Sequence, residues 1–332
     1  MQKQNLLTFL KYKVKRIIPH TVWSILSRKF EVKRSIEFSE QTLINRTGKT
    51  ETEVYLIRRR PPGGGLFSNV NHVLQGIEYA KQNNLTPIVD MQNYWTSYSQ
   101  MKPFNKSKNA WDYFFEPVST IRLEETAKFQ SLILSKGDRI LPNSPLADRG
   151  LSFVLDRELL LQYSSLYKDN IKLNKPTQEF IGRVKEFLEW KKSTLGVSYR
   201  GTYYVENEPR GHARQPSFSL LLSKVDTKLA SNRYSKLFLS TEDGNARKLI
   251  RDTYPDLVYE DFRNKKTIEK LLSDRHKHSK QTIEALGYLA EIYLLSECVS
   301  ITCSIANGSA SALLINGGTY QEPDVINLGT YI

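Results

Sequence analysis

Cysteine is almost missing from this chain of 332 residues: Cys298 and Cys303 are the only two. That excludes a disulfide-stapled scaffold, and their apolar setting favours reduced, buried thiols. No Cys/His spacing matches a zinc site. No uninterrupted apolar run approaches ~18 residues, so no spanning helix is read. A Gly-x-Ser-x-Gly elbow is lacking, which argues against an α/β-hydrolase. Neither a Walker loop nor a Gly-x-Gly-x-x-Gly fingerprint occurs, which weighs against an NTPase or a dehydrogenase. Repeats and low-complexity tracts are absent too. What remains is 39% hydrophobic and 25% charged, ordinary for a globular chain and long enough for two domains without staples.

The net charge is +13, and it is unevenly spread. Residues 1–34 hold nine Lys and Arg against the single acid Glu31, so +8 of the total lies there. Leu6, Leu7, Leu10, Val14, Ile17 and Ile18 follow helical spacing between the lysines, and Pro19 ends or kinks the run. The pattern predicts a basic amphipathic helix, lying on an anionic membrane surface or docking on the chain's own core. The segment reads poorly as a secretory signal. Nucleic acid is not expected as a partner, because the basic residues join no reading motif.

Residues 35–53 are polar and read as a linker. Beyond them short apolar strands alternate with helical periodicity. Strands are expected at Val54–Ile57, Pro87–Asp90, Leu195–Tyr199, Leu237–Ser240, Leu257–Tyr259, Cys298–Thr302 and Val325–Leu328. Helices are expected at about Asn69–Gln82, Thr177–Lys191, Ser217–Ala230, Gly244–Asp252, Ser279–Leu295 and Ser309–Ile315. The alternation predicts an α/β chain with two Rossmann-like domains, residues 35–192 and 193–332. The stretch 91–190 is less regular and holds Trp95, Tyr98, Trp111, Tyr113, Phe114 and Phe115. Those aromatics suit core packing or sugar stacking.

Ligands of such sheets bind at the carboxyl ends of the strands, which singles out four loops. Gly63-Gly64-Gly65-Leu66-Phe67-Ser68-Asn69 lets the backbone approach an anion at a helix start, or is a flexible turn. His72, one turn on, faces the same ligand or packs inside. Tyr199-Arg200-Gly201-Thr202 puts a guanidinium at a strand tip, where its planar fork suits a diphosphate. His212 and Gln215 follow in that loop. Thr241-Glu242-Asp243 offers carboxylates to a base or ribose, or Asp243 caps the next helix, and the two roles are compatible. Thr302–Ser311 offers free N–H groups and hydroxyls from Ser309 and Ser311, or Ser309 is a plain N-cap. Asp-x-Asp is missing, so Arg rather than a metal is expected against a diphosphate. His276-Lys277-His278 reads as solvated surface.

In this order the motifs resemble those of the inverting fucosyltransferase superfamily, which takes in α-1,6-, nodulation and protein O-fucosyltransferases. Gly64-Gly65-Leu66 with Asn69 resembles its Gly-Gly-Leu-Gly-Asn-Gln start. Gly196-Val197-Ser198-Tyr199-Arg200-Gly201-Thr202-Tyr203 resembles its Gly-Val-His-x-Arg-Arg-Thr-Asp segment. Thr241-Glu242-Asp243 resembles its Thr-Asp-Asp, and Thr302–Ser311 its last donor loop. Arg-Gly-Thr-x-Tyr followed by Pro-x-Gly-His-x-x-Gln-Pro is similar to a bacterial branch found with polysaccharide genes. The resemblance spans about residues 54–330. It implies a GT-B-like pair of domains with parallel sheets facing a cleft, a GDP-sugar donor, transfer with inversion and no metal or other cofactor.

By the same resemblance Arg200 holds the donor diphosphate and Asp243 lies near the nucleoside. Gly64, Gly65, Asn69, Thr202, Gln215, Thr241, Ser309 and Ser311 complete the donor set. Three positions depart from the family: Ser198, Gly201 and Tyr203 stand where it has His, Arg and Asp. His212 is therefore the candidate base, with Glu206 or Glu208 as alternatives. The expected acceptor is a glycan or lipid-linked glycan of a surface polysaccharide, met by a cytoplasmic protein on the inner face of the cell membrane. A non-catalytic nucleotide- or carbohydrate-binding protein on the same scaffold is the alternative.

Overall fold

The computed structural model describes residues 38–61, 63–138, 150–231, 233–272 and 278–332. The basic helix expected over residues 1–34 lies outside them, as do His276 and Lys277. The described residues form two compact units: 38–138 with Asn170–Asn174, and 150–169 with Lys175–Ile332.

The first unit is built on four strands, β1 (Gln41–Ile44), β2 (Val54–Ile57), β3 (Thr86–Val89) and β4 (Ser131–Leu134). They lie side by side in the order β1-β4-β2-β3. β2 runs parallel to both its neighbours, while β1 is antiparallel to β4, so this sheet is not wholly parallel. Every residue of β2 is buried, as a continuous apolar run in a central strand requires. Helix α1 (Leu66–Gln82) buries Val70, Val73, Leu74, Ile77 and Ala80 on one face. Gly76 lets it close on β2, since a Cβ there would stand 2.6 Å from Ile57 Cδ1.

Two of these strands differ from expectation. β1 lies within the stretch read as a linker, because an edge strand keeps polar residues and half its backbone outward. β4 falls in the irregular stretch and is too short for alternation to show. Most aromatics of that stretch pack inside: Tyr98, Phe104, Trp111, Tyr113, Phe114 and Phe115 are buried, while Trp95 is half-buried. Trp111 stacks on Phe115 with centroids 4.5 Å apart, and its indole N–H donates to the Glu116 carbonyl at 2.9 Å.

The second unit carries four parallel strands, β5 (Thr194–Tyr199), β6 (Lys236–Thr241), β7 (Ser300–Ser304) and β8 (Asp324–Ile326), in the order β6-β5-β7-β8. Its helices are α2 (Arg157–Asn170), α3 (Lys175–Leu188), α4 (Thr202–Asn207), α5 (Phe218–Leu229), α6 (Gly244–Thr253), α7 (Lys265–Leu271), α8 (Lys280–Ser296) and α9 (Asn307–Asn316). Although α2 and α3 precede residue 193, they pack here. Ser164 Oγ donates to the Leu314 carbonyl at 2.6 Å, and Arg183 Nε to that of Leu271 at 2.6 Å. Among the described residues the stretch Leu257–Tyr259 makes a single parallel bridge, Leu237 with Val258, and not a strand. β7 starts two residues later than expected, because the Cys298 N–H still donates to Leu295 at the end of α8. Among the described residues no helix is long and apolar enough to cross a membrane.

Candidate functional site

In a parallel sheet all carboxyl ends share one edge, and the registers Tyr199 with Thr241 and Ser198 with Cys303 bring three loops of the second unit together. They enclose a hollow lined by Arg200, Thr241, Glu242, Arg263, Tyr288, Glu291 and Ser309.

Arg200 leaves the tip of β5. Its guanidinium meets Glu242 Oε1 at 2.5 Å, donates to the Tyr204 hydroxyl at 3.0 Å and lies 4.5 Å from that ring's centroid. Burial alone would lower its pKa. Glu242 and Tyr204 outweigh that and hold it above the usual arginine value. The Tyr204 ring also meets His212 edge-on at 5.5 Å, so Arg200, Tyr204 and His212 form one contiguous cluster. The His212 ring is exposed.

Gly201 turns the chain from β5 into α4 with φ 109, a backbone state that disfavours any side chain. A Cβ there would lie 3.2 Å from Asp243 Cβ. The arginine that the resembled family carries at this position would crowd Asp243. Thr202 opens α4 directly behind it.

Asp243 is the N-cap of α6, its Oδ1 accepting from the Asn245 and Ala246 N–H groups at 2.9 and 3.1 Å. Of the two readings of this side chain the cap is observed. Thr241 Oγ1 accepts from the Asp243 N–H at 3.1 Å, which shapes the turn.

The last loop differs from expectation in detail. Helix α9 starts at Asn307, with Ala306 as N-cap. Ser309 therefore sits in the first turn, where its Oγ accepts from the Ala306 N–H at 2.9 Å and donates to the Ser304 carbonyl at 2.6 Å. Ser311 is fully buried, and its hydroxyl has no hydrogen-bond partner among the described residues. Both hydroxyls are thus turned into the protein, and the anion-binding capacity of this loop rests on the backbone N–H groups at the start of α9. Gln215 is buried as well. Its Nε2 donates to the Ala213 and Ile305 carbonyls at 3.0 and 3.1 Å, and Ser304 Oγ donates to its Oε1 at 2.5 Å. Its side chain braces the loop after β5 against the loop after β7.

Beneath the hollow, Arg263 pairs with Glu291 at 2.8 Å. Burial raises the Glu291 pKa while Arg263 pulls against it. The Tyr288 hydroxyl lies where a Cβ on Gly308 would stand, 2.2 Å away, so only glycine lets α9 begin this close.

In the first unit the glycine loop has its own geometry. Gly63 has φ 68, and a Cβ on Gly64 would lie 2.5 Å from Ser68 Oγ. Gly65 is the N-cap of α1 and faces open space. Asn69 is buried and donates to the Gly64 carbonyl at 3.1 Å. Arg59 Nη1 donates to Asn69 Oδ1 at 2.8 Å and to Ser68 Oγ at 3.0 Å. Burial lowers the Arg59 pKa. The run Arg58-Arg59-Arg60 ahead of the glycines was the signal for this residue, and motif reading passed over it. His72 packs inside: its Nε2 lies 2.9 Å from the Arg58 carbonyl, and burial pushes its pKa down to about 4. Among the described residues no three His, Cys, Asp or Glu side chains gather as a metal site would require.

No family model matches the chain, and no curated protein sequence does. Solved structures do. POFUT1 in complex with GDP-fucose aligns with a TM-score of 0.51 and 9% identity, over 85% of this chain and 99% of that one. POFUT1 in complex with GDP gives 0.50 and 10%, over 84% and 98%. The fucosyltransferase NodZ from Bradyrhizobium is 18% identical over 81% and 93%, with a TM-score of 0.45. The chain therefore has an α/β fold of the GT-B-like kind, and POFUT1 is one solved protein that has this fold.

Proposed function

We propose that the chain is a glycosyltransferase that takes a GDP-sugar, fucose or a related one, and passes it with inversion to a glycan hydroxyl. The observation that carries this reading is Arg200, held at the tip of β5 beside the start of α9 and within the Tyr204–His212 cluster. The binding of GDP-fucose and GDP by POFUT1, which shares the fold, supports the choice of nucleotide. In the reaction an acceptor oxygen attacks the anomeric carbon as the bond to the GDP oxygen breaks, and negative charge grows on the leaving diphosphate. Arg200 and the N–H groups of α9 neutralise it, while His212 takes the acceptor proton. Loss of such a charge partner costs ~3 kcal/mol, about 10²–10³ in rate. A general base contributes ~10²–10⁴. No divalent metal is required, since the guanidinium supplies the countercharge. The basic residues 1–34 hold the protein on an anionic cytoplasmic membrane face, where lipid-linked glycan acceptors of polysaccharide synthesis are met.

The test is a thermal-shift series with GDP, UDP, ADP and CMP, with and without Mg²⁺, on the wild type and Arg200→Ala. A GDP-selective, Mg²⁺-indifferent shift that disappears in the variant is expected. A UDP- or CMP-selective shift would replace the donor. No shift with any nucleotide would overturn the reading. The crowding at Gly201 favours one second reading, a nucleotide-binding protein without turnover, because one arginine of the resembled family has no counterpart. GDP binding without hydrolysis or transfer of GDP-fucose would establish it.

A further inference from the structure

The loop that carries His212 has almost no regular structure of its own, yet its backbone is held along its length by one short segment. Residues Gly329–Tyr331 run antiparallel to Gly211–Arg214. The Gly211 N–H donates to the Tyr331 carbonyl at 3.0 Å, the Tyr331 N–H to the His212 carbonyl at 2.9 Å and the Arg214 N–H to the Gly329 carbonyl at 2.8 Å. Ala213 and Thr330 face each other in an antiparallel bridge. Tyr331 fastens this ladder. It is 7% exposed, its hydroxyl accepts from the Gln215 N–H at 3.2 Å, and the Arg214 guanidinium lies 5.8 Å from its ring centroid. One residue thus holds the loop before, at and after His212.

We infer that Tyr331 is a positioning residue for His212, an inference that rests on the role given to His212 above. Among the described residues the exposed imidazole meets one ring, that of Tyr204, edge-on, so its direction depends on the backbone that carries it. That backbone is aligned by the ladder, and the ladder is anchored in the second unit by the buried Tyr331 ring. A group that must take a proton in a fixed geometry loses effectiveness once its carrier moves by about an ångström. Arg200 is attached to β5 and not to this ladder, and Tyr331 meets the Gln215 backbone N–H rather than the side chain that braces the loop after β7, so donor affinity depends less on Tyr331 than turnover does.

The experiment uses the full chain and the variants Tyr331→Ala, Tyr331→Phe and His212→Ala. The His212 imidazole resonance is identified by its loss in His212→Ala. In Tyr331→Ala that resonance moves to the position of a free histidine, and the Gly211 and Arg214 amides exchange at least about tenfold faster. Hydrolysis of GDP-fucose drops about as far as in His212→Ala, and GDP affinity stays within about twofold of wild type. Tyr331→Phe keeps the ring and restores all of these. An unmoved His212 resonance with unchanged amide exchange in Tyr331→Ala would overturn the inference. So would a loss of GDP affinity equal to the loss of turnover, which marks general damage. If Tyr331→Ala does not fold, Tyr331→Leu carries the same comparison. A wild type that does not bind GDP removes the donor reading, while resonance and exchange still decide the positioning of His212.

Discussion

Asp112 and His72, both in the first unit, respond to acid in opposite directions. Burial raises the Asp112 carboxyl to about 6, although its Oδ2 accepts from Ser107 Oγ at 3.0 Å. Burial lowers His72 to about 4. For Asp112 the raised value means a contribution present below the unfolded pKa near 4 and lost as pH rises through 6. For His72 the lowered value means a contribution present above the unfolded pKa near 6.5 and lost as pH falls through 4. Each is worth about 3 kcal/mol at 1.36 kcal/mol per pKa unit, so between pH 4 and 6 the two slopes largely cancel. Asp112→Asn is expected to leave His72 unopposed: denaturant unfolding at pH 6.5 and 4 shows the variant losing about 2 kcal/mol more than the wild type. Equal losses would show that Asp112 does not carry the opposing slope. At this scale part of the candidate site was legible. Arg200 stood out by motif order and lines the hollow, whereas Asp243, singled out with it, is seen as the cap of α6. The Arg200–Glu242 pair did not stand out, because residues 42 positions apart meet only through the β5–β6 register. Nor did the inward turn of the Ser309 and Ser311 hydroxyls, which follows from where α9 begins.

The element that supports the hollow is α8, and its one buried carboxylate decides how firmly it is held. Glu291 is 1% exposed and pairs with Arg263, just ahead of α7. Removing one partner of a buried pair costs about 3–5 kcal/mol, because the other charge is left without compensation. Arg263→Ala is expected to lower stability by that amount, and the double variant with Glu291→Gln to recover much of it; calorimetric unfolding of the three proteins checks both. Elements with long periodic faces, such as α1 and α8, were readable to within about three residues. Helix ends were less so: α1 begins at Leu66 rather than Asn69, since its first turn is set by the glycine loop and not by an apolar stripe. β1 and β4 have four residues each, two side chains per face, which is too few for a period of two to show.

At the scale of the molecule, charge separates one end of the sequence from the rest. Residues 1–34 carry +8 and the other 298 residues +5. A polybasic segment gains about 1 kcal/mol per Lys or Arg near an anionic surface, and salt screens it. Full-length protein is expected to sediment with phosphatidylserine vesicles at low salt and to leave them at high salt, and a variant lacking residues 1–34 to stay in solution. Retention of the shortened protein on vesicles would assign the attraction to the two folded units.

The Gln215 brace also orders events in time. Its Nε2 meets the Ile305 carbonyl 90 residues further along the chain, and β5 stands between β6 and β7, the second of which is made about a hundred residues after it. At about 5–20 residues per second, a growing chain waits roughly 5–20 s between making Gln215 and making its partner. Until β6 is made both edges of β5 are open; after that one edge stays open until β7, and the hollow lacks a wall. The site is therefore among the last parts of the second unit to close during synthesis, and a nascent chain stalled before residue 300 exposes an apolar strand edge that the finished protein conceals.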